Sequence, residues 1–132
     1  MPAVLDTHAA VWYLLDATQL PAQIYALIDS AAASGTPTYI SAVSLIEVVY
    51  LVERGRIAPD AFDRFVTELA RNDPAFTIVP IDFQIVAALR RIPRDLVPDM
   101  PDRIIAATAL QLGLPLITRD RRLQSSGIQT IW

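Results

Sequence analysis

Val4-Leu5-Asp6-Thr7-His8-Ala9-Ala10-Val11-Trp12-Tyr13-Leu14-Leu15 opens as a strand and continues as a helix. Val4 and Leu5 form a short apolar run that Asp6 closes, and residues 7–15 carry on at helical spacing. The same alternation runs outward through the chain. A second helix is expected over 21–33, with Pro21 in its first turn. A strand follows over 38–41, then a helix over 41–54 that Gly55 closes. Residues 59–72 are amphipathic, with Phe62, Phe65, Val66 and Leu69 on one helical stripe. Further along, 76–81 reads as a strand, 82–92 as a helix and 93–101 as a loop punctuated by proline. A helix over 102–112 ends at Gly113, a buried strand follows at 116–118, and 129–132 is a last edge strand. Strands that alternate with helices define an α/β fold whose mainly parallel sheet is covered on both faces.

The chain has 132 residues and no Gly/Ser-rich linker or repeat, so a single domain over 1–132 is expected. Its hydrophobic fraction is 53% and its mean hydropathy +0.37. No apolar run reaches the roughly 18 residues of a membrane span, which excludes membrane partners from the expectation. The surplus apolar surface points instead to a buried sheet and to a face hidden by a partner or a second copy. Asp6 and His8 break the apolar stretch that a signal peptide needs, and no basic region precedes it. Without cysteine the redox compartment is not legible, and a cytoplasmic location is expected.

All 11 basic residues are arginine. With no lysine, a Walker-A loop, a Schiff base and a receiver-type phosphorylation site are excluded. The glycines never form a phosphate-cradling loop, and the lone His8 excludes a zinc site built on several histidines. His8 itself is read as helix-start packing. The net charge of −3 argues against a general nucleic-acid coat, while local arginines remain able to bind phosphate.

What remains is carboxylate chemistry. Asp6, Glu47, Asp102 and Asp120 each stand where an apolar run meets a strand end or a helix start. Such junctions line one rim of an open α/β sheet, so these acids can meet in one crevice. Grouped carboxylates repel unless protons or a divalent cation intervene, which makes a Mg²⁺-type site the first hypothesis. Each acid also has a purely structural reading. Asp6 fits a helix cap, and Asp102 complements a helix dipole. Asp120, just past a strand, admits the same structural role. Glu47 fits a Ser44-x-x-Glu47 capping box only if its helix starts at Ser44, and Ser41 is an equally good start. Elsewhere in the helix its charge is costly without a partner. Asp99 reads as a loop-turn residue or as an acid backing the cluster. Arg103, Arg119, Arg121 and Arg122 adjoin Asp102 and Asp120, where guanidinium groups can position a phosphodiester or simply form a solvated face.

Taken in order, Val4-Leu5-Asp6-Thr7-His8, Ile40-Ser41-Ala42-Val43-Ser44-Leu45-Ile46-Glu47, Asp99-Met100-Pro101-Asp102-Arg103-Ile104-Ile105-Ala106-Ala107-Thr108-Ala109 and Leu116-Ile117-Thr118-Arg119-Asp120 resemble a PIN domain of the VapC toxin type. The likeness spans nearly the whole chain, down to Thr130-Ile131-Trp132. It implies a three-layer α/β/α sandwich and a Mg²⁺-dependent endoribonuclease, with Mn²⁺ an alternative ion, acting as the toxin of a type II toxin-antitoxin module. It further implies a homodimer restrained by a small VapB-like antitoxin. Asp6, Glu47, Asp102 and Asp120 carry over as the acidic quartet that holds metal and activates water, and Thr118 as a polar neighbour. Asp99 matches an acid often present in that loop. Many relatives place a histidine shortly before that acid, where this chain has Val97-Pro98. Two rival readings stand beside this one: a non-catalytic PIN-like module that binds RNA or protein, and a metal phosphohydrolase acting on small molecules. Apolar helix faces around Trp12, Tyr13, Val49 and Tyr50 are expected to help bury the partner or second subunit.

Overall fold

The computed structural model describes residues 2–72 and 74–132. Five short strands, β1 (Ala3–Leu5), β2 (Thr38–Ser41), β3 (Phe76–Val79), β4 (Leu116–Ile117) and β5 (Thr130–Ile131), form one sheet in the order β3-β2-β1-β4-β5. Every pairing is parallel. Parallel neighbours need crossovers, and seven α-helices among the described residues supply them: α1 (Thr7–Leu15), α2 (Ala22–Ala33), α3 (Ala42–Glu53), α4 (Ala61–Arg71), α5 (Phe83–Leu89), α6 (Met100–Leu112) and α7 (Arg121–Gln124).

Alternation along the strands divides the core into two layers. Ala3 and Leu5 of β1 and Ile117 of β4 point to one side, where Ala9, Val11, Ile24, Ile28, Val48 and Phe65 from α1 to α4 cover them. Val4 and Leu116 point to the other, against Ile85, Ala88, Ile105, Ala109 and Leu123 from α5 to α7. This is the expected α/β/α sandwich. Fully burying each large side chain contributes roughly 1.5–3 kcal/mol, and Leu5, Ile40, Phe65 and Ile105 are wholly enclosed.

Element ends depart from the sequence expectation for local reasons. Pro21 caps α2 rather than sitting inside its first turn. β3 stops at Val79 because Pro80 has no N–H to continue the ladder. α6 begins at Met100, two residues early, with Asp99 as its cap and Pro101 in the first turn, where a missing N–H costs nothing. Among the described residues no helix is long and apolar enough to cross a membrane.

The sheet order places the functional rim. From β1 the chain moves to β2 and β3 on one side, then crosses back to β4 on the other side of β1. The two directions diverge between β1 and β4, and a crevice forms outside the carboxyl ends of strands at such a switch point. Asp6 follows β1 directly, and Thr118 to Asp120 follow β4.

Candidate active site

A cavity of about 560 Å³ opens at this switch point, and Asp6, Glu47, Asp102 and Asp120 all line it. Asp99, His8, Arg119, Arg121 and Arg122 complete much of its wall. The junctions expected to converge therefore do so.

Asp6 both caps α1 and faces the cavity. Its Oδ1 accepts the Ala9 N–H at 2.8 Å, and its Oδ2 accepts the Thr118 hydroxyl at 2.5 Å. The structural reading of this acid is thus correct and is no alternative to a site role. Burial raises its pKa, and the Thr118 and Ala9 bonds offset that only in part. Asp120 likewise caps α7, accepting the N–H groups of Arg122 and Leu123.

Glu47 is not a capping residue. Ser41 caps α3, accepting from Val43 N–H, so Glu47 lies well inside the helix. There it accepts the Thr7 hydroxyl at 2.5 Å, and Thr7 stands 2.8 Å from the Ser44 hydroxyl. Thr7 has one hydroxyl hydrogen and gives it to Glu47, so Ser44 must donate to Thr7. Desolvation, ahead of the neighbouring Asp99 and Asp6, holds the Glu47 carboxyl above its ordinary pKa.

Asp102 occupies the third position of α6, where its N–H is taken by Asp99 Oδ2 at 3.2 Å. Asp99 is therefore a helix cap as well as part of the wall. Burial, then Asp99, Asp120, Glu47 and Asp6, push the Asp102 pKa up to about 7. Its carboxylate accepts no hydrogen bond and pairs with no cation among the described residues.

The donor set fits a hard divalent cation: the carboxylates of Asp6, Glu47, Asp99, Asp102 and Asp120 and the Thr7 hydroxyl line the cavity with the single imidazole of His8, and lysine is absent. As placed, no three acidic or histidine side chains among the described residues are gathered closely enough to enclose an ion.

The arginines divide. Arg119, Arg121 and Arg122 line the cavity, whereas Arg103 does not. Its Nε and one terminal nitrogen donate to the carbonyls of Ile92 and Leu89, each at 3.0 Å, which ties α6 to the end of α5. Arg103, expected as an RNA contact, is held in these two bonds and lies outside the cavity wall. His8, read mainly as helix-start packing, is exposed and lines the cavity. Trp12 and Tyr13, expected on a partner-facing surface, pack against the core formed by α1 to α4. Thr7 and Ser44 went unassigned as site residues, although their positions beside Asp6 and three before Glu47 were visible.

The fold is an α/β domain with an acid-lined cavity at the end of β1, and the PIN domain family model matches residues 3–127: the chain belongs to the PIN domain family. Among characterised relatives, Ribonuclease VapC22 of Mycobacterium tuberculosis (strain ATCC 25618 / H37Rv) is 28% identical over 123 residues, covering 92% of this chain and 89% of that protein. Among solved structures, VapBC2 of Rickettsia felis bound to a promoter DNA fragment superposes with a TM-score of 0.77 at 17% identity, covering 100% of this chain and 99% of that one. DNA-bound VapBC of Salmonella typhimurium gives 0.70 at 20% identity, over 99% of this chain and 97% of that chain. FitAcB of Neisseria gonorrhoeae gives 0.68 at 23%, over 98% and 96%. At these identities the structures speak for the fold alone.

Proposed function

We propose that the protein is a Mg²⁺-dependent endoribonuclease that hydrolyses RNA phosphodiester bonds with an activated water, and that it serves as the toxin of a type II toxin-antitoxin module. The observation that carries this reading is the convergence of Asp6, Glu47, Asp102 and Asp120 on one cavity with no cationic side chain paired to them among the described residues. Similarity to a named ribonuclease supports the same substrate class.

Asp6 and Asp102 would hold the cation, Glu47 would reach it directly or through water, and Asp120 would complete the cluster or a second position. When bound, Mg²⁺ or Mn²⁺ supplies Lewis acidity, activating the attacking water and stabilising charge on the phosphate. The chain's own residues set the stage for this. Thr118 fixes the Asp6 carboxylate, and Thr7, steadied by Ser44, fixes Glu47. Arg119, Arg121 and Arg122 face the same cavity and would engage the phosphates on either side of the scissile bond. The nucleophile is water, since no cysteine exists and the sole histidine sits at the rim.

An antitoxin of the VapB kind would restrain this activity, and the chain would form a homodimer. An apolar groove lined by Val43, Ile46, Tyr50, Leu51, Met100 and Ile104 offers the contact surface, and Ile46, Tyr50 and Met100 are exposed. The reading includes a cytoplasmic location, as expected from the sequence. The experiment is cleavage of total RNA by the purified chain with Mg²⁺ and with EDTA. Metal-dependent scission supports the reading. Binding without scission returns a non-catalytic module, and turnover of a simple phosphate ester without RNA cleavage returns a small-molecule phosphohydrolase.

A further inference from the structure

We propose that Trp12 is a positioning residue for RNA binding, holding the Arg119 guanidinium at the cavity edge so that it meets the RNA backbone instead of collapsing onto the acids. This rests on the ribonuclease reading above and adds to it how the backbone is located.

Three observations converge. The Arg119 guanidinium carbon lies 4.7 Å from the centroid of the Trp12 ring, within cation–π range. Trp12 is itself braced from two sides, by Trp132 at 6.3 Å and by His8 at 5.5 Å between ring centroids. Among the described residues the one salt bridge is Arg71–Glu68, so Arg119 is exposed, lines the acidic cavity, and yet pairs with no carboxylate.

The topology explains the arrangement. His8 and Trp12 are one turn apart on α1 and share a face. Trp132 follows β5, which pairs with β4, and Arg119 leaves the end of β4 between Thr118 and Asp120. The aromatic stack thus joins the first helix to the end of the last strand, and His8 and Arg119 carry it to the cavity wall.

A guanidinium beside several carboxylates is able to turn in and pair with them, cancelling charge that a cation must answer. Stacking on an indole opposes that collapse and leaves the N–H edges of the guanidinium available to phosphate oxygens. It also removes part of the rotamer entropy that binding would otherwise cost. A lysine keeps the charge but loses the planar face, so the device is specific to arginine.

The test compares the intact protein with Trp12→Leu, Trp12→Phe, Arg119→Lys and the Trp12→Leu/Arg119→Lys double variant. Cleavage is followed with Mg²⁺, and binding of a labelled RNA oligonucleotide is followed by anisotropy in EDTA. Trp12→Leu and Arg119→Lys should each raise KM and weaken binding by about three- to ten-fold, with kcat within about two-fold of the parent. Trp12→Phe, which keeps an aromatic face, should restore most of the affinity. The double variant should be no worse than either single change, because both remove one coupled contact. Parental affinity in Trp12→Leu, additive losses, or a fall in kcat alone overturns the proposal. If Trp12→Leu fails to fold, Arg119→Lys at its exposed position and Trp12→Phe decide the matter by the same readouts. Should the parent protein neither bind nor cut RNA, the ribonuclease reading falls and takes this one with it. Should the parent do both while Trp12→Leu matches it, only the Trp12 clamp falls.

Discussion

Thr118 and Asp6, 112 residues apart in the chain, meet through a 2.5 Å hydrogen bond from the threonine hydroxyl to Asp6 Oδ2. The same hydroxyl oxygen accepts the Asp120 N–H at 3.0 Å. One buried side chain therefore aligns an acid from the end of β1 with the segment that carries another acid beyond β4. Thr118→Val keeps the shape and removes both bonds. Its apparent affinity for Mg²⁺, read from the metal dependence of cleavage, should fall by about 10- to 100-fold, while Thr118→Ser stays near the parent.

Asp102 makes the metal-free protein sensitive to pH in a predictable direction. Its pKa in the fold is raised from 3.8 to about 7, so across that interval the folded state holds a proton that the unfolded state has released. Its stabilising contribution is complete below the unfolded value and disappears as pH rises through the folded one. Asp102→Asn should flatten that slope, and at pH about 8 in EDTA its Tm should exceed that of the parent. Equal Tm values there, or a steeper slope in the variant, would contradict the assigned environment.

Adding a divalent cation should reverse the penalty. A ligand that binds only the folded state stabilises it in proportion to the logarithm of its concentration, by about 2.7 kcal/mol at a hundred times Kd. Mg²⁺ or Mn²⁺ should therefore raise the Tm of the parent above pH about 7 and leave Asp102→Asn nearly unmoved. Thermal denaturation across a Mg²⁺ series checks this, and an identical rise in both proteins would place the ion elsewhere.

Arg103 should matter for stability and not for RNA. Losing its two bonds to the Leu89 and Ile92 carbonyls in Arg103→Ala should cost about 1–3 kcal/mol in chemical denaturation. RNA affinity should stay at the parent level. Unchanged stability with weakened RNA binding would return Arg103 to the substrate-binding surface.

Arg103 also shows where sequence reading ends. Adjacency to Asp102 suggested a shared role, but consecutive helical residues point about 100° apart, and Arg103 turns to α5 while Asp102 faces the cavity. The acids were legible because a charge that closes an apolar run needs an explanation, and strand ends in a parallel sheet share a rim. The strands and longer helices were legible from their apolar spacing. α7 was not, since the four residues Arg121–Gln124 are too few to display a helical period. The start of α6 was misplaced because Asp102 looks as good a cap as Asp99, and only Pro101 in the first turn distinguishes them. The Thr7–Ser44–Glu47 network spans 37 to 40 residues across two helices, and no local pattern announces it. The aromatic ladder is hidden for the same reason, with Trp12 and Trp132 at opposite ends of the chain.

The central claim is that carboxylates at the β1–β4 switch point cut RNA with a metal's help. The most direct test purifies the chain free of any partner and maps cleavage of total cellular RNA, with Mg²⁺ and with EDTA, beside Asp6→Asn and Asp102→Asn variants whose folds are verified by circular dichroism. Discrete Mg²⁺-dependent cuts in the parent that vanish in EDTA and in both folded variants are the predicted result. Cleavage of equal strength in either variant, or in EDTA, would contradict the account.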